Sequence, residues 1–586
     1  MAVNQIRIND MTNLEIAHIM HDIATYLAME EDLFRSRAYE KVGESIADLG
    51  TELSEVYASG GTKALEAIPG VGPSIAEKIE ELLKTGHLKY YDKLKKKIPV
   101  NLQEFRRVEG LGPKTIQALY KKLKIKNLKD LEKAALAGKI RNLPGFGEKT
   151  EERLLKSISF VKKSGGRMIT AYAMPMIREI ERRLKSVSGV ERLVVVGSVR
   201  RHKETIGDVD ILVISKNPKP AMDSFVGMPN VGRVQAHGGT KSAVTMTNGM
   251  DVDFRVVPRE SFGAAMNYFT GSKAHNIKLR EIAIDRGWKL NEYGLFKGSR
   301  RIAGGNEEEL YKKLGLAYIE PELREMAGEI EASRKNLLPK LIGYQDLKGD
   351  LQVQTDWTDG ARSIEEMALA ASKARLDYIA ITDHTKRLAM AHGLDERRIK
   401  KQWAEIDKVN KKFHVSGLKF RVLKGAECDI LKDGSMDLPD KILAGCDVVG
   451  ASVHSLFNLS RMDQTERIKR AMANPNVDII FHPTGRVIQE REPYAVDAEA
   501  LIAYAKKTGT VMEINAFPDR ADLSDEYIRK CVSSGVSLSI DSDAHDASHF
   551  QYLEYGIAQA RRGWAEKKDI INAQPLEKML KALKNK

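Results

Sequence analysis

Two acidic motifs in the middle of the chain have the residue types and spacing of a metal-dependent phosphoryl-transfer site. Asp208 and Asp210 lie two residues apart in DVDILVIS, and Asp251 and Asp253 repeat that spacing in DVDFRVVP. Because alternate side chains of a strand point to the same face, each pair presents two carboxylates on one side. Three carboxylates on neighbouring strands can hold two magnesium ions about 4 Å apart, an arrangement that supports nucleotidyl transfer. The spacing alone leaves open whether Asp251 or Asp253 completes the set.

A glycine-serine pair precedes the first of these motifs. Gly197 and Ser198 follow the apolar run RLVVV and are predicted to open a helix, whose free N–H groups suit a triphosphate. Arg200 and Arg201 add positive charge directly after them. This order of elements favours a nucleotidyltransferase site over a polar strand end with solvated acids.

A second set of metal-binding side chains is spread over the C-terminal part of the chain. Histidines end or follow predicted strands in ITDHT, GASVHS, IIFHPTG and DSDAH, and acids occur at matching places. These residues are His384, His454, His482, His545, Asp359, Glu427 and Asp543. Side chains at the ends of successive barrel strands converge on one mouth, where imidazole and carboxylate suit zinc, manganese or iron. Clustered metals with a bound water would hydrolyse phosphoesters.

Three glycine-containing turns form an internal repeat in the first part of the chain. Each has the pattern glycine–apolar–glycine followed by a predicted helix. The pairs are Gly70 and Gly72, Gly110 and Gly112, and Gly145 and Gly147. Glycine permits a tight turn and the close approach of a ligand, and the following helix N-terminus favours phosphate. The repeat predicts helix-hairpin-helix motifs that hold the DNA backbone without reading its sequence, the alternative being ordinary helix–helix turns.

The elements that must position these residues change along the chain. Residues 1–160 are predicted to be mostly helical, residues 190–260 contain strand-like runs, and β-like runs alternate with helices after residue 346. That alternation predicts a barrel-like domain of βα repeats. The net charge of +13 lies entirely before residue 346, because residues 346–586 contain 37 basic and 37 acidic side chains. A basic excess confined to one part indicates a polyanionic partner there.

The cysteines and the apolar runs exclude other classes of protein. Cys428, Cys446 and Cys531 are not in C-x-x-C spacing, which argues for a reducing compartment and against a zinc finger. No apolar run is long enough to span a membrane, and MAVNQIRIND lacks the apolar region of a secretory signal. We therefore expect a cytoplasmic protein without a membrane partner.

Residues 1 to about 318 resemble an X-family DNA polymerase of the DNA polymerase beta type, through GSVRR, GDVDILV, VDFRVVP and YFTGSKAHN. The resemblance implies a lyase-like domain followed by fingers, palm and thumb, and it selects Asp253 rather than Asp251 as the third metal carboxylate. It also implies that Gly197, Ser198 and Arg201 contact the triphosphate of the incoming nucleotide. The sugar of that nucleotide would contact Tyr268, Phe269 and Gly271, and its base would lie near Asn276. Arg280 would contact the template region.

The same resemblance bears on Lys78 in PSIAEKIEELL. It matches the lysine with which lyases of the family form a Schiff base with an abasic sugar, a reaction that needs a neutral amine. Arg35, Tyr39 and Lys41 in RSRAYEK are the expected neighbours. Ser74 stands where the family often has another lysine, and the alternative is that Lys78 only contacts phosphate.

Residues 346 to about 575 resemble a polymerase-and-histidinol-phosphatase (PHP) domain. The resemblance implies a trinuclear metal site. It also implies 3′→5′ exonuclease activity or phosphoesterase activity on 3′ ends and abasic sites. The seven histidines and acids named above match its ligand positions. Gln352 and Gln354 in GDLQVQTDWTDG replace two histidines of the family. An amide oxygen is a poorer ligand than imidazole, so the metals at those positions are predicted to be weakened or missing. Asp356 would compensate only if the strand continued that far.

Together these features predict a multidomain protein with helical helix-hairpin-helix N-terminal domains, an α+β nucleotidyltransferase palm and thumb, and a C-terminal α/β distorted (β/α)7-type barrel. The expected domains are lyase-like 1–90, fingers 91–160, palm 161–258, thumb 259–318, linker 319–345 and PHP 346–586.

We expect a monomeric, gap-filling repair DNA polymerase that acts on gapped or nicked DNA and deoxynucleoside triphosphates, with Mg²⁺ in the palm and Mn²⁺ or Zn²⁺ in the PHP domain. Two alternatives stay open. One is a nucleotidyltransferase for RNA or a small molecule. The other is a PHP domain that is catalytically weakened and mainly structural or DNA-docking.

Overall fold

The structure is a computed structural model that describes residues 11, 13–47, 49, 53–106, 108, 111–163 and 166–583. It divides into two compact units. One comprises the residues up to 166 together with 489–491, and the other comprises residues 167–488 and 492–586. Among the described residues, no helix combines the length and apolar character needed to cross a membrane.

The first unit is helical, as its sequence predicts. Its helices are α1 (Asn13–Met29), α2 (Leu33–Ala47), α3 (Leu53–Leu65), α4 (Pro73–Thr85), α5 (Lys89–Lys97), α6 (Leu102–Arg106), α7 (Pro113–Leu123), α8 (Leu128–Leu136) and α9 (Glu148–Lys163). Apolar residues at helical spacing, such as Ile79, Leu82 and Leu83 of α4, are fully buried in its core. Helices α4 and α7 each begin with a proline directly after a glycine, where the missing N–H costs nothing.

The second unit begins with a palm and a thumb. Their elements are β1 (Met168–Ile169), α10 (Thr170–Lys185), β2 (Val190–Val195), α11 (Gly197–Arg200), β3 (Thr205–Ile206), β4 (Asp208–Ser215), α12 (Pro218–Val226), β5 (Val231–His237), β6 (Lys241–Met246), β7 (Asp251–Val256), α13 (Phe262–Thr270), α14 (Lys273–Ile284), β8 (Trp288–Asn291), β9 (Gly294–Lys297), β10 (Arg300–Ala303), α15 (Glu307–Lys313) and α16 (Glu329–Arg334). The palm sheet has the order β2-β4-β7-β6-β5.

Helices cover both faces of the palm sheet because strand β4 is apolar on both sides. Ile211 and Val213 belong to the core formed with α10 and α12, whereas Leu212 packs with Phe262 of α13. Strand β4 runs parallel to β7. The acidic starts of these two strands therefore lie side by side.

The segment predicted to be a linker is folded. Residues 319–345 contain α16, and Ile319, Leu323 and Ile330 are buried in the core of the thumb. Arg324 in the same segment is fully buried and donates to Glu307 over 2.6 Å. These apolar residues have no clear period, so the sequence did not indicate their burial.

The C-terminal part is a barrel of parallel strands alternating with helices, as the resemblance predicts. Its elements are β11 (Gly349–Val353), α17 (Ile364–Lys373), β12 (Tyr378–Ile381), α18 (Glu396–Ser416), β13 (Arg421–Asp429), α19 (Asp440–Leu443), β14 (Val448–Ser452), α20 (Arg461–Ala473), β15 (Ile479–Ile480), α21 (Ala498–Thr508), β16 (Val511–Asn515), α22 (Asp525–Ser534), β17 (Leu538–Asp541), α23 (Leu553–Arg562) and α24 (Leu576–Ala582). The strands follow one another in chain order from β11 to β17. The N–H of Gln354 donates to the carbonyl of Ala544 over 2.8 Å, which brings the ends of β11 and β17 together.

Candidate active sites

The first site is formed by carboxylates at the start of β4 and β7. Asp208 lies opposite Asp251 and Asp210 lies opposite Asp253, because the two parallel strands pair in that register. Burial, and then the charges of Asp208 and Asp253, raise the pKa of Asp210 to about 6. The three carboxylates therefore repel one another, and such an oxygen donor set suits Mg²⁺ and similar hard cations.

Asp251 has other partners. Its Oδ1 accepts hydrogen bonds from Thr245 Oγ1 at 2.8 Å and from Gln235 Nε2 at 2.7 Å. Asp253 instead faces two cations, with its Oδ2 lying 3.2 Å from Lys241 Nζ and 3.2 Å from Arg255 Nη2. The contacts of Asp251 thus tie it to the neighbouring hairpin, while Asp253 shares the site of Asp210.

The glycine-serine pair lies beside these carboxylates. Gly197 has φ +69°, and a Cβ added to it would lie 3.3 Å from Asp210 Oδ2, so glycine allows the chain to pass close to that carboxylate. Ser198 is half-buried within α11. Arg201 follows this helix, and its Nε donates to Glu325 Oε1 over 2.9 Å while its Nη1 donates to the carbonyl of Thr270. The residue predicted to contact a triphosphate therefore has a carboxylate partner in this structure.

The YFTG segment lies against the same arginine. A Cβ added to Gly271 would lie 3.1 Å from Arg201 Nη1. The rings of Tyr268 and Phe269 meet edge to face, with their centroids 5.1 Å apart. Asn276 Nδ2 donates to the carbonyl of Tyr268 over 2.6 Å. The structure thus groups these predicted nucleotide-binding residues.

Arg280 is placed by helix α14. It lies one helical turn beyond Asn276 on α14 and is half-buried. Its predicted role at the template stays a prediction.

Lys78 lies in the first unit on helix α4, and the charge of Arg35, one of its predicted neighbours, acts on it. Its Nζ donates to both the carbonyl and the hydroxyl of Ser74 over 2.8 Å, and it lies 5.3 Å from the centre of the Tyr90 ring. Tyr90 in turn stacks on Tyr39 at 6.2 Å. Burial, opposed by nearby glutamates and helped by Arg35, lowers the pKa of the Lys78 amine. A lowered pKa increases the neutral fraction that Schiff-base chemistry needs.

The hairpin glycines present open backbone. Gly70 and Gly145 both have φ +83°, a conformation that favours glycine. For Gly72, Gly112 and Gly147, an added Cβ would meet no atom within 4 Å, so packing inside the chain does not explain these glycines. The open space leaves room for a ligand to approach the backbone. Gly110 lies outside the described residues.

The second site lies at the C-terminal ends of the barrel strands. Among the described residues, two groups have ligand atoms within 4.8 Å of one another, one of Asp359, His384 and His545 and one of His384, Glu427 and His454. His482 Nε2 also lies 3.0 Å from Glu427 Oε1. The barrel therefore brings together six of the residues predicted from widely separated motifs, and Asp543 lies 3.9 Å from His545 Nδ1.

Glu427 is the centre of this cluster. Burial opposes its charge, but His384 and His454 outweigh that effect and hold the pKa of Glu427 well below its ordinary value. Burial likewise opposes protonation of His454, yet its hydrogen bonds with Asp429 and Glu427 raise the pKa of His454 to about 10. Bound divalent cations would replace these protons as the source of positive charge.

Two of the predicted ligands have unusual backbone conformations. His482 has φ +29° and Asp543 has φ +53°, both positive without being glycine. Such strained backbone is concentrated at functional sites, where the surrounding fold holds it.

Gln352 and Gln354 are fully buried in this site. Gln354 Nε2 donates to Glu427 Oε2 over 2.9 Å, so it turns a donor rather than a ligand oxygen toward the cluster. Reversing the amide would place its oxygen against the Glu427 carboxylate. Gln352 Oε1 accepts from Asn515 Nδ2 over 3.1 Å, and the same Nδ2 lies 3.2 Å from Asp543 Oδ2. In these contacts neither amide oxygen is directed at Glu427 or Asp543, and Gln354 Oε1 is buried with no hydrogen-bond partner among the described residues.

Asp356 does not replace the missing histidines. Strand β11 ends at Val353, and Asp356 is exposed beyond it. The alternation that would have carried Asp356 onto the same face stops before it reaches this residue.

Sequence reasoning missed several neighbours of the second site. Asp429 Oδ1 lies 3.0 Å from His454 Nδ1, and Arg520 Nε lies 3.3 Å from Asp543 Oδ2. Glu513 is buried and accepts a hydrogen bond from the backbone N–H of His482. Asp429 follows Glu427 by two residues on β13, so strand alternation was a usable signal for it. Arg520 lies in a loop, where no period could have indicated it.

Comparison with known proteins agrees with this architecture. Family models match residues 11–88 (Helix-hairpin-helix domain), 102–159 (SAM-like Helix-hairpin-helix tandem), 177–286 (Nucleotidyltransferase domain) and 265–325 (DNA polymerase beta thumb).

Similar proteins extend the comparison to the whole chain. The DNA polymerase/3′-5′ exonuclease PolX of Bacillus subtilis (strain 168) is 36% identical over 97% of this chain and 98% of its own length. DNA polymerase lambda of Rattus norvegicus is 26% identical over 53% of this chain and 56% of its own length. A probable phosphatase of Thermoanaerobacter sp. (strain X514) is 32% identical over 31% of this chain and 72% of its own length. The chain therefore belongs to the X family of DNA polymerases, in the group that carries a C-terminal PHP domain.

Proposed function

We propose that this protein is a DNA-directed DNA polymerase that fills short gaps during DNA repair, with an attached phosphoesterase that trims 3′ ends. The observation that carries the polymerase proposal is the register of β4 and β7, which sets Asp208, Asp210 and Asp253 together beside Gly197. The similarity to the Bacillus subtilis polymerase over nearly the whole chain supports it. A 3′ end that cannot be extended must be cleaned before synthesis, so the two activities serve one task.

In the palm, Asp208, Asp210 and Asp253 would hold divalent cations, for which we propose Mg²⁺. When bound, these ions supply the charge that stabilises the triphosphate and the attacking oxygen. Burial and the repulsion from Asp208 and Asp253 raise the pKa of Asp210 to about 6, and a cation bound among the three carboxylates would relieve that repulsion.

We assign the nucleotide pocket to the residues around YFTG. Gly197, Ser198 and Arg201 would contact the triphosphate of a deoxynucleotide, while Tyr268, Phe269 and Gly271 would lie under its sugar. Asn276 would lie near the base. The contacts of Gly271 and Asn276 described above support a single pocket.

The first unit would hold the DNA. The open hairpin backbone at Gly72, Gly112 and Gly147 suits phosphate oxygens, as expected for a basic, sequence-neutral clamp. Binding should weaken with salt by about 0.9 log units per log unit of salt for each phosphate neutralised. We also propose that Lys78 is the Schiff-base nucleophile of a lyase activity on abasic sugars.

In the barrel, the group of Asp359, His384 and His545 and the group of His384, Glu427 and His454, with His482 and Asp543 beside them, would hold divalent cations, for which we propose Mn²⁺ or Zn²⁺. When bound, such ions polarise a phosphoester and lower the pKa of a bound water. The glutamine contacts favour a site with fewer cations than the family's trinuclear arrangement. The competing proposal is therefore a barrel that docks DNA and has little hydrolytic activity.

Primer extension on gapped DNA tests the polymerase proposal. With Mg²⁺ present, wild-type protein should fill the gap and Asp208→Ala should not. Extension of an RNA primer or modification of a small molecule, without gap filling, would favour the broader nucleotidyltransferase reading. For the barrel, Mn²⁺-dependent shortening of a 3′ end should disappear in His482→Ala while gap filling persists. Equal shortening by wild-type protein and His482→Ala would contradict the assignment of the phosphoesterase site to the barrel.

A further inference from the structure

Helix α23 of the barrel domain reaches the nucleotide pocket of the palm. Arg562, the last residue of α23, has only 1% of its side chain exposed. Its Nη1 donates to the backbone carbonyl of Arg201 over 3.0 Å and lies 3.3 Å from Glu325 Oε1. Its Nη2 donates to Asp525. A residue of the phosphoesterase domain thus contacts the arginine assigned to the triphosphate.

Glu325 connects the two arginines. Arg201 Nε donates to Glu325 Oε1 over 2.9 Å, and this is the same oxygen that Arg562 approaches. Burial disfavours the charge of Glu325, but Lys203, Arg201 and Arg562 outweigh burial and lower its pKa, so the carboxylate stays ionised. An Arg201 guanidinium that turns to a triphosphate gives up its hydrogen bond to this carboxylate, which then depends on its remaining cationic neighbours.

We infer that Arg562 is a positioning residue for nucleotide binding in the palm. Its guanidinium holds the backbone carbonyl of Arg201 in place. It also balances the negative charge of Glu325 when the Arg201 side chain moves to the triphosphate. Without Arg562, Glu325 holds Arg201 more strongly, because fewer cations share its charge. The inference rests on the proposed polymerase function and on the assignment of Arg201 to the triphosphate.

The neighbouring residue Arg561 offers a matched control. Its Nε donates to Glu322 Oε1 over 2.6 Å and its Nη1 donates to the carbonyl of Ile342 over 2.8 Å. Arg561 therefore also joins α23 to the segment after the thumb, but its described hydrogen bonds do not include Arg201 or Glu325. Loosening of the domain contact alone should affect Arg561→Ala and Arg562→Ala alike.

The test is single-nucleotide gap filling by the full-length chain, with the KM for deoxynucleoside triphosphate and kcat measured separately. Arg562→Ala should raise KM about tenfold, because this is the loss of affinity expected when a charge-assisted hydrogen bond is removed. The kcat should change less than about twofold. Arg561→Ala should leave both near their wild-type values. An unchanged KM in Arg562→Ala, or an equal rise in Arg561→Ala, would overturn the inference.

A double-mutant cycle through Glu325 separates positioning from a general structural effect. In Glu325→Gln the carboxylate that competes for Arg201 is gone, so adding Arg562→Ala should raise KM less than about threefold. Additive effects would show that Arg562 does not act through Glu325. If Arg562→Ala does not fold, Arg562→Lys carries the same cycle with a smaller expected rise.

Arg201→Ala distinguishes failure of this inference from failure of the proposed function. It should raise KM at least as much as Arg562→Ala. If Arg201→Ala left KM unchanged while gap filling persisted, the triphosphate assignment would be wrong and the inference would fall with it. If wild-type protein did not extend a primer, the proposed function itself would fail.

Discussion

Asp210 and Asp253 occupy directly opposed positions on two parallel strands, β4 and β7. Asp251, two residues earlier, lies opposite Asp208 in the same register, but its Oδ1 is hydrogen-bonded to Thr245 and Gln235. The two aspartates of one short motif therefore have different surroundings, and a substitution at each should have a different result.

Asp253→Ala should reduce the rate of gap filling about 10³-fold, since a metal ligand supplies several kcal/mol of transition-state stabilisation. Asp251→Ala, its matched control on the same strand, should change the rate less than about tenfold. Single-turnover extension of gapped DNA measures both. Equal losses would contradict the assignment of Asp253, rather than Asp251, as the third metal ligand.

The metal content of the barrel should reveal the effect of the two glutamines. Counting by mass spectrometry, in an Asp208→Asn/Asp210→Asn background that removes the palm ligands, should give about two Mn²⁺ or Zn²⁺ ions per chain. Gln352→His/Gln354→His should add about one ion, because two imidazoles then replace amides that donate to Glu427 and accept from Asn515.

Asp359→Asn provides the control for this count, because it weakens the group with His384 and His545 and should remove about one ion. If the wild-type chain already held a third ion, the prediction that Gln352 and Gln354 weaken one metal position would be wrong.

Much of the palm site was predictable because its residues are close in sequence. The spacing of Asp208 and Asp210 and the position of Gly197 follow from strand alternation and a single turn. The choice of Asp253 over Asp251 was not available from spacing, because Thr245 and Gln235 come from the adjacent hairpin. The resemblance, rather than periodicity, supplied that choice.

The contacts between distant segments were beyond sequence reasoning. Arg562 and Arg201 are separated by 361 residues, and nothing local to either indicates their hydrogen bond. The burial of Arg324 in the predicted linker likewise depends on Glu307, which lies on another element. Motifs therefore predicted which residues lie together at the two sites better than they predicted the contacts that hold those residues in place.

The lyase assignment makes a prediction about pH. Borohydride should trap a covalent adduct between the protein and an abasic site, and Lys78→Ala should abolish it. Because burial lowers the pKa of Lys78, its neutral fraction should rise with pH along a curve centred below the ordinary lysine value. Lys84→Ala is the control, since Lys84 lies on the same helix but pairs with Glu80 at 2.6 Å. An adduct undiminished in Lys78→Ala would refute the assignment.

The buried ion pairs of the thumb should make its stability sensitive to acid. Glu307 lies 2.6 Å from both Arg324 and Arg200, and although burial opposes its charge, these arginines lower the pKa of Glu307 to about 2. In the unfolded chain the same carboxyl titrates near 4.3, so it stabilises the folded protein above that pH by roughly 3 kcal/mol. This contribution is lost as the pH falls from about 4 toward 2.

Glu307→Gln should therefore lower the thermal unfolding temperature at pH 7, where it leaves the buried Arg324 without its carboxylate, a loss of about 3–5 kcal/mol. The difference from wild type should narrow at pH 3, because the wild-type carboxyl binds a proton there in the unfolded chain but stays largely ionised in the folded protein, and the amide does not titrate. Glu309→Gln, on the exposed side of the same helix, should leave the unfolding temperature at its wild-type value at both pH 7 and pH 3. Thermal scans of the three proteins across this pH range measure the effect, and a constant difference at all pH values would contradict the ionised, buried pair.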